Sequence, residues 1–120
     1  MTRDEIIAKW AGMTSREKDA WIERIVFGRE TFGQFRETNG IRVLISHYST
    51  DISAAWTVFE RFPYVEVARI PGPVTTYGVR INDPDDGRIY AMTKEPTFPE
   101  AICLAALIAK LTEVSADVAV

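Results

Sequence analysis

The chain is expected to fold as a mixed α/β (α+β) domain, with a mostly antiparallel sheet of about four strands flanked by helices on both faces. Three observations carry that expectation. The motif T-x-x-E, a capping box in which each side chain satisfies the other residue's backbone N–H, occurs at Thr2–Glu5, Thr14–Glu17 and Thr97–Glu100. Between these helix starts the apolar pattern switches to a period of two, the mark of a strand, at 41–46, 65–70, 75–81 and 88–93. Turn-forming residues crowd 82–87 (NDPDDG), so the last two runs read as an antiparallel hairpin.

The first capping box opens a short helix to about Trp10, ended by Gly12. The second opens a helix through Trp21, Ile22, Ile25 and Val26, with Gly28 in the place of a C-terminal cap. Residues 29–40 (RETFGQFRETNG) carry no period and two glycines, and read as a loop with at most a short strand around Thr31–Arg36. Ile41–Ser46 follows the turn pair Asn39-Gly40. A third helix starts at Ser49 or Thr50 and places Ile52, Ala55, Trp56 and Phe59 on one buried stripe. It stops near Phe62, because Pro63 disfavours helical backbone in the residue before it.

Val65–Ile70 alternates as VEVARI and ends at Pro71-Gly72-Pro73. In the hairpin, pairing Ile81 with Arg88 sets Val79 opposite Tyr90 and Tyr77 opposite Met92, with Thr76, Gly78 and Arg80 on the other face. A slip of one residue exchanges the two faces. Ala101–Leu111 is apolar nearly all round, which requires burial on more than one side, and the periodicity is lost from Thr112. Trp21 and Trp56 are expected to pack inside, and Trp10, near a helix end, to be partly exposed.

Composition bounds the function. A chain of 120 residues fits one domain, 1–120, and 47% hydrophobic with 26% charged residues is ordinary for a globular protein. The net charge of −3 offers no clustered Lys and Arg for a nucleic-acid backbone, so nucleic acid is not an expected partner. A small anion needs only two or three local cations. The single Cys103 rules out an internal disulfide and fits a reducing cytoplasm. No signal peptide is read at the N-terminus, and the longest apolar run falls short of the roughly 20 residues that cross a bilayer, so no membrane is expected either.

Catalytic and metal patterns are missing. His47 has no ligand cluster at metal spacing. Cys103 sits in the most apolar helix, where cysteine behaves as a small hydrophobe. Ser46 or Ser49, His47 and Asp51 are neighbours in sequence and so do not face one another as a triad. No P-loop or G-x-G-x-x-G occurs, and Asp85-Asp86 reads as a solvated turn. No enzyme activity, metal or cofactor is expected. What stands out is Tyr48-Ser49-Thr50-Asp51 at a helix start. A plain reading makes it an N-cap with Tyr48 as a packing staple. A functional reading makes it an anion or nucleotide site. Ser49, Thr50 and the helix N–H groups would hold phosphate, with Tyr48 as a stacking surface and Asp51 capping or accepting from a base or ribose. Arg69 and Arg80 are the best cations to face it.

The opening MTRDEI, the helix REKDAWIERIVFG, the central YSTDISAAW and the late TFPEAICLAALI resemble the phage ABA-sandwich domain proteins, in the same order and over nearly the whole chain. Leu104 stands where the family often has arginine, and 29–47 is longer than usual. The resemblance implies a helix–sheet–helix sandwich, no known catalytic residues and residence in a host cell's cytoplasm. By analogy with small phage proteins that sponge up host alarm nucleotides, it implies a homo-oligomer. Such a protein would sequester a cyclic dinucleotide or cyclic ADP-ribose type signal and so counter antiphage defence. The alternative is a protein–protein interaction or structural phage module with no small-molecule ligand.

Overall fold

A computed structural model describes residues 1–85 and 87–119, with the side chains of Tyr90 and 113–119 left aside. Helices α1 (Arg3–Ala11) and α2 (Ser15–Ile25) begin as their signatures require. The hydroxyls of Thr2 and Thr14 accept from the N–H groups of Glu5 and Glu17, and each Glu carboxylate accepts from the N–H of its own threonine. Those hydrogen bonds hold both exposed carboxyls below the usual glutamate range.

Residues 29–40 depart from the expected loop, while the strand expected from Ile41 is present. Together they form a small antiparallel sheet of β1 (Thr31–Phe32), β2 (Phe35–Thr38) and β3 (Ile41–Leu44). Asn39 and Gly40, at φ 52° and 78°, make the two-residue hairpin turn, which matches the twist of the flanking strands. Helix α3 is shorter than expected at both ends, Ile52–Phe59: Asp51 rather than Ser49 or Thr50 is its N-cap, and Glu60 is its C-cap. Its stripe is also placed differently. Ala55 and Val58 are the buried pair, whereas Ile52 and Trp56 are exposed. Trp10 and Trp21 are buried, so Trp56 and not Trp10 is the tryptophan that meets solvent.

The second sheet, β4 (Val65–Ile70), β5 (Thr76–Asn82) and β6 (Ile89–Glu95), is antiparallel in chain order. The expected hairpin forms, in another register: Ile81 pairs with Ala91, Arg80 with Met92, and a bulge follows at Asn82. Met92 therefore shares a face with Arg80 instead of Tyr77. The Tyr90 side chain and Asp86 lie outside the described residues.

Helix α4 (Phe98–Ala119) continues past Leu111. Every residue from Ala101 to Ala109 is buried. On one side α4 packs on β5 and β6, where the Thr93 hydroxyl donates to the Ala101 carbonyl at 2.7 Å. On its other sides it meets α1, α2 and α3. The expected mixed class of helices and antiparallel sheet is thus the observed one. Its particulars differ: two three-stranded sheets replace one of about four strands, and α4 covers one face of the larger sheet while Glu66, Ala68, Met92 and Lys94 are exposed on the other.

Two buried carboxylates fasten the non-helical segment 45–51 and the small sheet to α2. Asp19 and Glu23, one turn apart, are fully buried. Asp19 Oδ1 accepts from the N–H and hydroxyl of Ser49 at 2.8 and 2.7 Å, and Oδ2 accepts from Arg16 at 2.8 Å. Glu23 accepts from the Tyr48 hydroxyl at 3.1 Å and from Arg29 at 3.1 Å, and pairs with Arg36 of β2 at 3.2 Å. Burying a carboxylate is costly unless charge and hydrogen bonds surround it; here they do.

Removing one member exposes that dependence. Asp19→Ala should lower stability by about 3–5 kcal/mol, as a broken buried pair does, read as a fall in the urea midpoint at unchanged slope. Asp19→Asn, which keeps an acceptor for Ser49, should cost less. A second check uses pH. Burial and then the Glu23 charge push the Tyr48 phenol up to about 12. Below about pH 10 it is neutral in both folded and unfolded chain; above that the unfolded chain ionises first. Stability should therefore fall between pH 10 and 12, by about 1–3 kcal/mol, and Tyr48→Phe should flatten that limb of the curve.

Candidate functional site

Side chains alternate across a strand, so the residues of β4–β6 that do not face α4 share the opposite face. Glu66, Ala68 and Ile70, then Gly78 and Arg80, then Met92 and Lys94 outline a groove of about 580 Å³ there. Arg3 of α1 joins them over the outer edge of β6, donating to the Met92 carbonyl at 3.0 Å. The floor is flat because Ala68 and Gly78 stand opposite each other in register. A Cβ on Gly78 would come 3.3 Å from Ile70 Cδ1, so any larger residue fills the floor.

Charge lines the walls. Arg80 lies directly opposite Glu66 and pairs with it through Nη2. Its Nε is buried and has no hydrogen-bond acceptor among the described residues, an arrangement that native structures rarely leave unfilled. Arg3 and Lys94 add two more cations to the single carboxylate of Glu66. The groove can hold an anion and a flat apolar group together.

The residues singled out in the sequence are not gathered at one place. Tyr48 is buried, its ring stacked on Phe27 at 5.1 Å and its hydroxyl on Glu23, so it offers no platform to a ligand. Ser49 is sealed against Asp19, to which its hydroxyl donates, with the Ser15 carbonyl 3.3 Å from the same oxygen. A phosphate there would meet two carboxylates. Thr50 is exposed, and Asp51 caps α3 by accepting from Ser53 N–H at 3.1 Å. Arg69 and Arg80 fall on opposite faces of the sheet, because Arg69 pairs with Tyr77 and Glu66 with Arg80. Of the predicted set, Arg80 alone lines the groove.

Sequence reasoning passed over Arg3, Gly78, Met92 and Lys94. Gly78 carried the available signal, since a glycine inside a strand marks close approach by another group. It also passed over Asp19 and Glu23, whose i, i+4 spacing puts two acids on the buried side of α2.

Among the described residues, Cys103, Ser49 and His47 are not poised as a nucleophile and base. Cys103 is buried and donates to the Tyr48 carbonyl at 3.3 Å; burial above all, then the Asp19 and Glu100 charges, raises its thiol well above the ordinary range. The Ser49 hydroxyl is committed to Asp19, and His47 Nδ1 lies 3.1 Å from Arg16. Among the described residues no group of three or more His, Cys, Asp or Glu side chains is placed to hold a metal ion.

A second, apolar groove of about 360 Å³ opens on the helix-facing side at the β4 edge. It is lined by Ile52, Trp56 and Phe59 of α3, Val65 and Val67 of β4, Tyr77 and Phe98.

The family model of the phage ABA sandwich domain matches residues 19–107. Among solved structures, a phage protein from Bacillus cereus ATCC 14579 is similar in fold and sequence. It has 31% identity and a TM-score of 0.72 over 82% of this chain and 88% of that one. No curated protein matches. The matched stretch runs from the buried Asp19 through both sheets to Leu107 of α4, and the chain belongs to the phage ABA sandwich domain family.

Proposed function

We propose that this is a phage-encoded, non-catalytic binding protein acting in the host cytoplasm. It sequesters a small anionic nucleotide signal, of the cyclic dinucleotide or cyclic ADP-ribose type, and so blunts antiphage defence. The seat of the ligand is the open face of β4–β6 rather than the start of α3. The observation that carries this reading is the groove's charge: Arg80, Arg3 and Lys94 against the single carboxylate of Glu66, over a floor of Ala68 and Gly78. Phosphate oxygens match a guanidinium fork, and a base plane matches a floor without projecting side chains. Sequestration without turnover is supported by the groove's lining, which pairs no nucleophile with a base. Among the described residues no helix is long and apolar enough to cross a membrane.

A second reading, an interaction or structural module without a small ligand, is favoured by the apolar groove beside Trp56.

Calorimetry against a panel of cyclic nucleotides separates the two. Arg80→Ala should weaken binding about tenfold to a hundredfold, the worth of a charged hydrogen bond at about 1.5–3 kcal/mol. Gly78→Val should abolish it by filling the floor. Thr50→Ala should leave affinity unchanged, and ligand released by heating should be intact. Silence across the panel ends the nucleotide reading. Weakening by Thr50→Ala with Arg80→Ala inert returns the site to the helix start.

A further inference from the structure

Strand β4 is an edge of its sheet: it pairs with β5, and its outer N–H and C=O groups have no backbone partner among the described residues. Natural sheets protect such edges with prolines, bulges or clustered charge. Within Val65–Ile70 there is neither proline nor bulge, and the two charges, Glu66 and Arg69, are of opposite sign and lie on opposite faces.

Directly beneath this edge lies the apolar groove, with Val67 and the outward residues of α3 on its rim. Ile52 and Trp56 continue the apolar stripe of α3 beyond what the chain itself covers, and Trp56, half exposed at 50%, is stacked on Phe59 at 4.5 Å. A large, rigid aromatic beside an unpaired strand is the usual anchor of a protein interface.

We propose that the occupant is a second copy of this chain. The copies join edge to edge through β4, making one continuous antiparallel sheet of the two three-stranded ones, with the α3 faces packed across the two-fold axis. A strand related to itself by a two-fold perpendicular to its sheet pairs antiparallel, so no foreign sequence is required. One register keeps like charges out of direct opposition. With Val67 on the axis, Arg69 of one copy stands opposite Val65 of the other and Glu66 opposite Ala68, so no like charges are directly opposed, the arrangement that would be destabilising. The exposed residues of 52–60 and 64–72 lie along that one edge as a continuous strip. This inference does not depend on the nucleotide reading, since it concerns the edge and helix-side groove rather than the open face.

The experiment is light scattering with size exclusion on the full chain, with four variants beside it. The unmodified chain should run as a dimer. Val67→Asp, a change at an exposed side chain that sets two carboxylates face to face, should raise the dimer dissociation constant at least a hundredfold while near-UV circular dichroism is kept. Val67→Cys should give a covalent dimer under mild oxidation. Antiparallel partners stand about 4.5–5.5 Å apart at Cα, within disulfide reach, and the native Cys103 is buried. Thr38→Cys, on the small sheet, should stay largely uncrosslinked. Trp56 is the exposed tryptophan of the single chain, so acrylamide quenching should be weak in the dimer and rise in Val67→Asp. A chain that is monomeric at millimolar concentration overturns the proposal. So does a dimer that survives Val67→Asp, or one that dissociates with Val43→Asp on β3 instead.

Discussion

Everything in this fold is arranged around a helix that has no exposed side from Ala101 to Ala109. A helix apolar all round cannot rest on one surface; it needs neighbours on every flank. The alanines let the sheet and the other helices come close, while Ile102, Leu104, Leu107 and Ile108 supply the apolar area, each worth about 1.5–3 kcal/mol when fully buried. β5 and β6 take one flank and α1, α2 and α3 take the rest. One consequence is functional. Because α4 claims one face of β4–β6, the polar alternation of those strands, Glu66, Arg80 and Lys94, is turned together to the other.

The small sheet is held by a different physics. Its apolar residues Phe32, Phe35, Ile41, Val43 and Leu44 are exposed, so burial does little to fix it to the body. Charge does that instead: Arg36 of β2 reaches Glu23, Arg24 donates to Thr31, and Arg16 bridges Asp19 and the Ile45 carbonyl. Directional partners position a segment more narrowly than apolar contact, and they also explain why two carboxylates sit at zero exposure inside α2. Their fields and lone pairs are spent on holding residues 45–49 in one place.

How much was legible follows from the reach of each signal. Capping boxes and the VEVARI alternation act within three or four residues, and they placed the starts of α1 and α2 and the whole of β4 where the structure has them. The hairpin was readable as a hairpin, but its register depends on a bulge at Asn82 that no turn residue announces. β1 and β2 were foreshadowed only as one short strand around Thr31–Arg36, because two strands this brief leave too few alternations to resolve the turn between them. Trp56 was misplaced because i, i+3, i+4, i+7 spacing reports an apolar face without saying what covers it. Arg80 was readable as a cation on a strand face, though its groove partners lie on two other strands and on α1.

The Tyr48–Asp51 cluster shows how a local surplus of polar groups finds its explanation at long range. More hydroxyls and carboxylates crowd that helix start than one cap requires. Asp51 is the cap; Ser49 serves Asp19, and Tyr48 serves Glu23, partners 30 and 25 residues away in sequence. A hydroxyl already donating to a buried carboxylate has no proton left for a phosphate, and two carboxylates behind it would repel one. Under the proposed function the anion site therefore moves to the open sheet face, where cations are in excess. Its groove is bounded along one side by Glu66, Ala68 and Ile70 of β4, the same strand whose outer edge is unpaired. Joining two copies at that edge sets two such grooves side by side on one continuous sheet, each with its own Arg3, Arg80 and Lys94. A ligand carrying two phosphates is the kind of molecule that a paired set of cations on a flat surface fits.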